Sequence, residues 1–323
     1  MQFIIDESSS QKTVLVYLKN IVKISSSTIS HLKTLDDGIC VNGSRVTVRY
    51  VLNAGDVLSI NTDDANNESD GIVPVNLPIE IVYEDDNLMV VNKPIDMPTH
   101  PSHNHYDDTL GNAVAHIYSE RKVPFVFRPT GRLDKNTSGL VMLPKSRAAA
   151  SFYFAEAKSG RIHKHYIAIL DGEIDADKEK VYSIEAPIKR SEGSVITREV
   201  STPGDPEADY ALTHWKLIYS GGGISIVDAY PVTGRTHQIR VHFSSIGFPL
   251  VGDVFYGDDK YGLDCHMLHA VSLSFKKCFL DEYITVSANP NHKMSSLVLD
   301  KTGMSLDDIM SGYTMTKELT PDK

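Results

Sequence analysis

A polar, acidic segment without hydrophobic periodicity divides this chain of 323 residues into two unequal parts. Residues 63–73 are rich in Asp and Asn, and such a composition cannot bury enough apolar surface to form a core. Complete hydrophobic patterns lie on both sides of it, so we predict a small domain at 1–62, an acidic linker at 63–73 and a larger domain at 74–290. Residues 291–323 are polar and weakly patterned, and we assign them to a C-terminal tail.

The small domain has the pattern of two short helices followed by a β-hairpin. Apolar residues at helical spacing between 13 and 22 predict the first helix, and the serines at 25–27 offer N-caps for the second. A strand at 39–41 leads into Asn42 and Gly43, a dipeptide typical of a tight hairpin turn. We expect β-structure to continue from 46 to 60, broken at 54–56.

The hairpin of the small domain resembles a known RNA-binding unit. The pattern Gly38, Ile39, Val41, Asn42, Gly43, followed by Gly55, Asp56 and Val57, is similar to the S4 RNA-binding module. This resemblance implies that basic side chains of the domain bind phosphate, and the available ones are Lys19, Lys23, Lys33, Arg45 and Arg49. The domain is poor in basic residues for such a role, so the alternative is a small protein-interaction domain that does not contact RNA.

The large domain contains strand-like and helical segments in irregular order. Strands are predicted at 79–83, 88–91, 139–143, 166–170, 214–219, 224–230 and 268–275, and helices at 146–154 and 236–246. A regular alternation of strand and helix would indicate a parallel sheet, and it is missing here. We therefore predict an α+β fold with a mixed, mainly antiparallel sheet.

The charge distribution permits a nucleic-acid partner although the chain is acidic overall. A net charge of −10 at first sight argues against phosphate binding, which depends on clustered Lys and Arg. Residues 87–170, however, carry 11 basic and 6 acidic groups. An acidic average can thus conceal a basic cleft.

Several features argue against other classes of protein. No apolar run approaches the roughly 18 residues of a transmembrane helix, and the amino terminus lacks the basic and apolar regions of a secretion signal. We therefore expect a cytoplasmic protein without a membrane partner. Three widely separated cysteines fit neither a disulfide framework nor a zinc site. The paired histidines lack companion ligands at metal spacing, so we expect no metal. The glycines at 221–223 are not followed by Lys-Ser or Lys-Thr as in a phosphate-binding loop, and we expect no cofactor.

The segment at 131–140, Gly-Arg-Leu-Asp-Lys-Asn-Thr-Ser-Gly-Leu, carries the strongest indication of chemistry. It places Asp134 on a turn just before an apolar strand, where a carboxylate is held rigidly and can act as a nucleophile or a base. Taken alone, an Asp followed by Thr and Ser is more often an ordinary turn capped by its own side chains. Both interpretations stay open on these residues alone.

Five motifs in order resemble those of RluA-like pseudouridine synthases, over residues 79–275. The string Arg-Leu-Asp-x-x-Thr-Ser-Gly-Leu at 132–140 is similar to the family signature, whose Asp is catalytic, although Gly131 stands where many members have His. Asp96 likewise replaces a residue that is usually Gly. The other matching elements are Lys93-Pro94 with His100-Pro101, Lys164-x-Tyr166-x-Ala168, residues 233–242 with 247–257, and Leu268-His269-Ala270.

The resemblance implies an RNA uridine isomerase, which breaks the N1 glycosidic bond and rejoins the base through C5. It implies that Asp134 attacks C1′ or C6 or assists proton loss from the sugar, and that Tyr166 faces the base. Arg240 is the candidate partner that keeps the carboxylate ionised through Coulomb attraction and paired hydrogen bonds. The remaining RNA-binding candidates are Arg132, which has the reach to fill the gap left by a flipped base, and Lys93, Lys164, Arg235 and His237.

The substrate implied is structured RNA, and we predict a monomeric enzyme that acts on large-subunit ribosomal RNA. One alternative is a synthase that acts on transfer RNA. Another is a catalytically idle RNA-binding or ribosome-assembly factor on the same fold, against which the presence of Asp134 argues. A hydrolase that uses Asp134 with a histidine is the third, and the sequence offers it no metal or cofactor site.

Overall fold

The amino-terminal part of the chain folds around a small four-stranded antiparallel sheet in the order β1-β4-β2-β3. The computed structural model describes residues 1–61, 71–258, 260–278 and 280–313. The strands are β1 (Gln2–Ile4), β2 (Ile39–Val41), β3 (Ser44–Arg45) and β4 (Val57–Ile60), and the helices are α1 (Val14–Val16), which continues as a π-helical turn at Tyr17–Ile21, and α2 (Ser26–Leu32). Both predicted helices are present, but of the β-structure predicted at 46–60 only β4 forms.

Local side-chain bonds explain where the two small helices begin. Thr13 accepts a hydrogen bond from the backbone N–H of Val16 at 3.3 Å, and Ser25 accepts one from Thr28 at 3.1 Å. Each side chain satisfies a donor that the first helical turn leaves unpaired.

The small sheet and its helices enclose a core of their own and also pack on the large domain. Leu18 and Leu58 are fully buried in that core. Ala148, which belongs to a helix of the large domain, is buried in the same cluster. The hydroxyl oxygens of Thr28 and Ser151 are 2.9 Å apart. The amino-terminal part therefore contacts the large domain directly, beyond the covalent connection between them.

The large domain is built on one nine-stranded sheet. Its order is β5-β6-β7-β14-β8-β13-β12-β9, with β15 paired to β14. The members are β5 (Glu80–Glu84), β6 (Leu88–Lys93), β7 (Ser138–Pro144), β8 (His163–Asp171), β9 (Tyr182–Glu185), β12 (Leu212–Gly221), β13 (Ile224–Pro231), β14 (Leu268–Lys276) and β15 (Tyr283–Ser287). Among the described strands only β7 and β14 pair in parallel, so the predicted α+β class with a mixed sheet is confirmed.

Helices cover this sheet, and a separate two-stranded hairpin contacts one of them. They are α3 (Leu110–Arg121), α4 (Arg147–Lys158), α5 (Gln238–Ser245) and the hairpin β10 (Ile188–Arg190) with β11 (Arg198–Val200). The sequence predicted α4 and α5 but not α3. Thr109 and Asn112 cap the start of α3 reciprocally, which offsets the low helix propensity of Gly111 and Asn112.

The region assigned to a C-terminal tail is largely folded onto the sheet. It forms α6 (His292–Thr302) and α7 (Leu306–Ser311). Met294 and Val298 are fully buried against strands of the large sheet, and Asn291 donates to the Ser138 hydroxyl at 2.9 Å. The assignment of residues 291–313 to a tail was therefore wrong, because the apolar side chains are too sparse for their periodicity to stand out.

The predicted linker at 63–73 lies mostly outside the described residues, which resume at 71. The carbonyl of Val73 accepts a hydrogen bond at 2.7 Å from Asn112, whose side chain is fully buried in α3. Val73 is therefore part of the large domain rather than of a linker.

Within the described ranges, no helix combines the length and the apolar character needed to span a lipid bilayer.

Candidate active site

The loop that carries Asp134 is held from both sides. The hydroxyl of Thr99 donates to the carbonyl of Leu133 at 2.8 Å, and the hydroxyl of Thr137 lies 2.7 Å from Nε2 of the buried His266. Gly139 begins the close approach of β7 to β14, since a β-carbon there would lie 2.3 Å from the carbonyl oxygen of Ala270. These contacts fix the backbone from which the Asp134 side chain projects.

Asp134 faces a cavity of about 300 Å³ between the 131–137 loop, β8 and the segment that leads into α5. Its side chain is 19% exposed, so a ligand in the cavity can reach the carboxylate. Six other residues that the sequence singled out line the same cavity: Arg132, Lys164, Tyr166, Arg235, His237 and Arg240.

Arg240 joins Asp134 to a second, fully buried carboxylate. Its Nη1 donates to Asp134 at 3.2 Å, while Nε and Nη2 donate to Asp253 at 2.7 and 2.8 Å. Burial alone would lower the pKa of the Arg240 guanidinium. The hydrogen bonds and negative charges of Asp253 and Asp134 outweigh burial, so the pKa is raised. Burial would also raise the pKa of Asp253, yet the ion pair with Arg240 lowers it. The expected contact with Asp134 is present, but the paired hydrogen bonds go to Asp253.

His237 approaches Asp134 from the other side. It adopts a left-handed backbone conformation with φ 58° at the start of α5, and its Nε2 lies 3.7 Å from a carboxylate oxygen of Asp134. Nδ1 is 2.7 Å from the hydroxyl of Tyr256, which also accepts the backbone N–H of Arg198 at 2.8 Å. Burial lowers the pKa of His237 despite the nearby charge of Asp134, so the ring is neutral at pH 7. With Tyr256 as donor to Nδ1, the ring proton sits on Nε2 and faces Asp134.

Tyr166 and Lys164 project from the same face of β8 into the cavity, because side chains two residues apart share a face. Tyr166 is only 9% exposed, and burial, with the charge of Asp134, raises the pKa of its hydroxyl. The phenol therefore keeps its proton at neutral pH. Burial lowers the pKa of Lys164. A β-carbon at Gly131 would lie 3.0 Å from Nζ of Lys164, so the missing side chain there leaves room for the ammonium group.

Lys93 cannot bind phosphate as the sequence suggested. Its side chain is fully buried, and Nζ donates to the carbonyls of Pro94, Met97 and Lys135 at 2.9, 2.7 and 3.1 Å. Burial lowers the pKa of Lys93 to about 7, against the opposing charge of Asp134. Its ammonium group ties the 94–97 turn to the loop after Asp134. In that turn Asp96 has φ 59°, a left-handed conformation that glycine adopts readily. This agrees with the Gly that RluA-like synthases usually have at this position.

The other basic residues singled out from the sequence lie at the rim or farther away. Arg132 is exposed at the mouth of the cavity. Arg235 is exposed as well, and its Nε donates to the carbonyl of Tyr210 at 3.0 Å. The five proposed phosphate ligands of the amino-terminal domain are exposed and do not line this cavity: Lys19, Lys23, Lys33, Arg45 and Arg49.

Asp253 and Tyr256 belong to the motif at 247–257, but the sequence did not indicate a role for either residue. His266 was not predicted to belong to the site. The available signal was an Asp two residues after the apolar run at 249–251. A charged residue that is forced into a buried position needs a buried partner.

The chain is similar to a family model and to several known proteins. A family model described as RNA pseudouridylate synthase matches residues 87–245, which include Asp134, Tyr166 and Arg240. The uncharacterized RNA pseudouridine synthase YjbO of Bacillus subtilis (strain 168) is 32% identical over 275 residues, 85% of this chain and 94% of that protein. Ribosomal large subunit pseudouridine synthase D of Borreliella burgdorferi is 35% identical over 242 residues, 71% of this chain and 72% of that protein. The solved structure of human RNA pseudouridylate synthase domain containing 1 matches with a TM-score of 0.56 and 27% identity, over 72% of this chain and 94% of that chain.

Proposed function

The chain belongs to the RNA pseudouridylate synthase family and is an RNA pseudouridine synthase, and we propose that it modifies large-subunit ribosomal RNA with Asp134 as nucleophile. The substrate proposal is supported by the 35% identity to ribosomal large subunit pseudouridine synthase D. The observation that carries the role of Asp134 is its position in a cavity, 3.2 Å from a buried guanidinium.

The reaction makes specific demands that this cavity can meet. The N1–C1′ bond of uridine breaks, a C5–C1′ bond forms, N1 gains a proton and C5 loses one. The uracil must stay enclosed while it is detached, since no covalent bond to the sugar retains it if Asp134 attacks C1′. A cavity of about 300 Å³ fits one nucleoside base and its ribose better than a longer stretch of RNA.

Tyr166 supports the reaction through its aromatic ring and as a hydrogen-bond donor. Because burial and the charge of Asp134 raise the pKa of its hydroxyl, the phenol donates hydrogen bonds at neutral pH and does not act as a base. Its ring, on β8 beside Asp134, offers a face on which uracil can stack. We propose that this stacking holds the base in place between cleavage of N1–C1′ and formation of C5–C1′.

Cationic side chains at the cavity are suited to the RNA backbone. Lys164, Arg235 and exposed Arg132 are proposed phosphate ligands, and Arg132 is additionally placed to enter the gap that the flipped uridine leaves in the RNA. The amino-terminal domain is proposed to add S4-like phosphate contacts through its exposed Lys and Arg. We propose a monomeric enzyme that acts in the cytoplasm, where ribosomal RNA is found.

Mapping of pseudouridine in cells with and without this protein tests the proposed substrate. Chemical modification followed by sequencing of total RNA should show the loss of one or a few pseudouridines in large-subunit ribosomal RNA. Their return on expression of the wild type, but not of Asp134→Asn, assigns the loss to catalysis. Losses confined to transfer RNA would replace the proposed substrate, and no loss in any RNA would contradict the proposal.

A further inference from the structure

Phe255 presents an exposed aromatic ring beside the active-site cavity. The side chain is 49% exposed, so about half of its surface is open to a ligand. Its backbone is fixed, because its N–H donates to Asp253 at 3.2 Å and the N–H of Gly257 donates to the carbonyl of Asp253 at 2.8 Å. The ring is therefore a rigid feature of the rim and not the end of a loose loop.

One side of the Phe255 ring contacts the residues that hold Asp134. The guanidinium carbon of Arg240 lies 5.6 Å from its centroid, and the imidazole of His237 lies 6.4 Å away with an angle of 13° between the ring planes. Both of these side chains approach Asp134, at 3.2 and 3.7 Å. The aromatic ring is thus separated from the nucleophile by a single layer of side chains.

Flipping of a uridine into the cavity leaves its neighbours in the RNA without a stacking partner. Single-stranded and splayed nucleotides commonly recover stacking on exposed aromatic side chains, which accept any base. We propose that the exposed part of Phe255 stacks on the nucleobase adjacent to the target uridine. This inference rests on the proposed placement of that uridine beside Asp134, and it adds a second base-binding subsite to the enzyme.

Kinetics with RNA that lacks single bases provides the test. The substrate is a stem-loop around the mapped uridine, in which either neighbouring nucleotide is made abasic. For the wild type, one of the two abasic RNAs should raise KM about tenfold and leave kcat nearly unchanged, as expected for the loss of one stacked base. Phe255→Leu should raise KM similarly on intact RNA, and the abasic change should then add nothing. Phe255→Tyr should behave like the wild type.

Val254→Ala is the matched control, because Val254 is 59% exposed at the adjacent position and has no ring to stack. It should leave KM and kcat unchanged. Equal penalties for the abasic RNA in wild type and Phe255→Leu would overturn the stacking subsite. A fall in kcat without a change in KM would likewise overturn it, and would show that the ring only packs against Arg240.

A binding measurement keeps this inference separate from the choice of substrate. In a short single-stranded RNA with 2-aminopurine next to a uridine, the wild type should quench the fluorescence more strongly than Phe255→Leu. If the wild type makes no pseudouridine in ribosomal RNA, the proposed substrate fails. The stacking subsite is then judged by this difference in quenching, and its absence would overturn the subsite.

Discussion

Asp253 accepts hydrogen bonds from Arg240 at 2.7 Å from Nε and 2.8 Å from Nη2, so the guanidinium reaches Asp134 with Nη1 alone. The planar fork of an arginine fixes its orientation when both of its donors are engaged. Asp253 is fully buried and does not line the cavity. It therefore acts as a positioning residue for Arg240, while Asp134 remains the carboxylate that can meet a substrate.

Replacement of Asp134 by Asn should abolish isomerisation and leave RNA binding nearly intact. The substitution removes the negative charge but hardly changes the shape of the side chain, and phosphate contacts elsewhere supply most of the affinity. Tritium release from RNA labelled at C5 of uridine measures turnover, and filter binding measures affinity. Retention of even a tenth of wild-type turnover would exclude Asp134 as the nucleophile.

Removal of either partner of the Arg240–Asp253 pair should destabilise the protein. Arg240→Ala leaves the Asp253 carboxylate buried without its charged partner, and Asp253→Ala leaves the buried guanidinium with Asp134 as its remaining carboxylate partner. Each change should lower the free energy of unfolding by roughly 3–5 kcal/mol, measured by urea unfolding. Arg240→Lys should rescue only partly, since an ammonium group cannot contact both oxygens of Asp253 in one plane.

The double variant Arg240→Met, Asp253→Leu separates the structural from the chemical role of this pair. Apolar side chains of similar size can replace a buried ion pair without a large loss of stability. We expect the double variant to be more stable than either single variant and to remain inactive in tritium release. Activity close to that of the wild type would show that Asp134 does not need the arginine.

Acid should destabilise the protein between about pH 6.5 and pH 4 through two buried histidines. Burial lowers the pKa of His266 and of His269 to about 4 in the folded state, whereas an unfolded chain has a value near 6.5. In this interval the unfolded state binds more protons, so stability rises with pH and is lost as pH falls. When the pH falls from 7 to 5, each histidine should lower the free energy of unfolding by about 2 kcal/mol.

Urea unfolding at pH 7 and pH 5 checks this dependence. His266→Gln and His269→Gln should each be less stable at pH 7, because Thr137 and Ser138 lose their imidazole partners. The drop in the free energy of unfolding from pH 7 to pH 5 should be smaller in each variant than in the wild type. His103→Gln is the control, because His103 is exposed. An unchanged pH dependence in both buried variants would contradict the prediction.

Lys93 and Lys164 should respond differently to substitution although both belong to motifs of the family. Lys93→Ala removes the donor to three buried carbonyls and should reduce the free energy of unfolding without changing the salt dependence of RNA binding. Lys164→Ala should reduce the slope of log affinity against log salt by roughly 0.7–0.9, which corresponds to one lost phosphate contact. An altered slope in Lys93→Ala would mean that this side chain leaves its buried position when RNA binds.

Long strands with a strong apolar pattern were predictable from the sequence, and elements that depend on distant partners were not. The strand at 139–143 and the turn at Asp134 follow from local apolar runs and turn residues. β1 is only three residues long and exists because Gln2 pairs with Ser59 and Ile4 with Val57, far along the chain. Its sequence alone carries too little β-pattern to indicate a strand.

The site could be predicted as a set of residues but not as a set of contacts. Asp134, Tyr166 and Arg240 line one cavity, as their shared motifs led us to expect. The carboxylate that accepts two hydrogen bonds from Arg240 is decided by how closely α5 approaches the turn at Asp253. The spacing of residues in the sequence does not indicate this approach. The burial of Lys93 likewise depends on carbonyls from two separate loops.

The last prediction concerns removal of the amino-terminal domain. The domain has its own buried cluster, so its removal should leave the large domain folded. The truncated protein should begin at residue 71, because the carbonyl of Val73 accepts a hydrogen bond from buried Asn112. Removal also exposes Ala148 and Ser151 on α4, so a modest loss of stability is expected.

A full-length variant with Gln at the five proposed phosphate ligands of this domain serves as the matched comparison. These residues are exposed, so the substitutions remove positive charge without disturbing the core: Lys19, Lys23, Lys33, Arg45 and Arg49. If the domain binds phosphate, the truncated protein and this variant should lose affinity for the RNA substrate to a similar extent. Both should also show a flatter salt dependence, by up to about one unit for each lost contact.

Turnover at saturating RNA should change much less than affinity in both proteins, because Asp134, Tyr166 and Arg240 lie in the large domain. None of residues 1–61, the described part of the small domain, lines their cavity. Binding across a salt series, together with tritium release at saturating RNA, gives both quantities. A loss of affinity in the truncated protein alone would mean that the small domain acts through its packing on α4 and not through its charges. Identical affinities and slopes in all three proteins would show that the domain does not contact RNA, and would favour its alternative role as a protein-interaction domain.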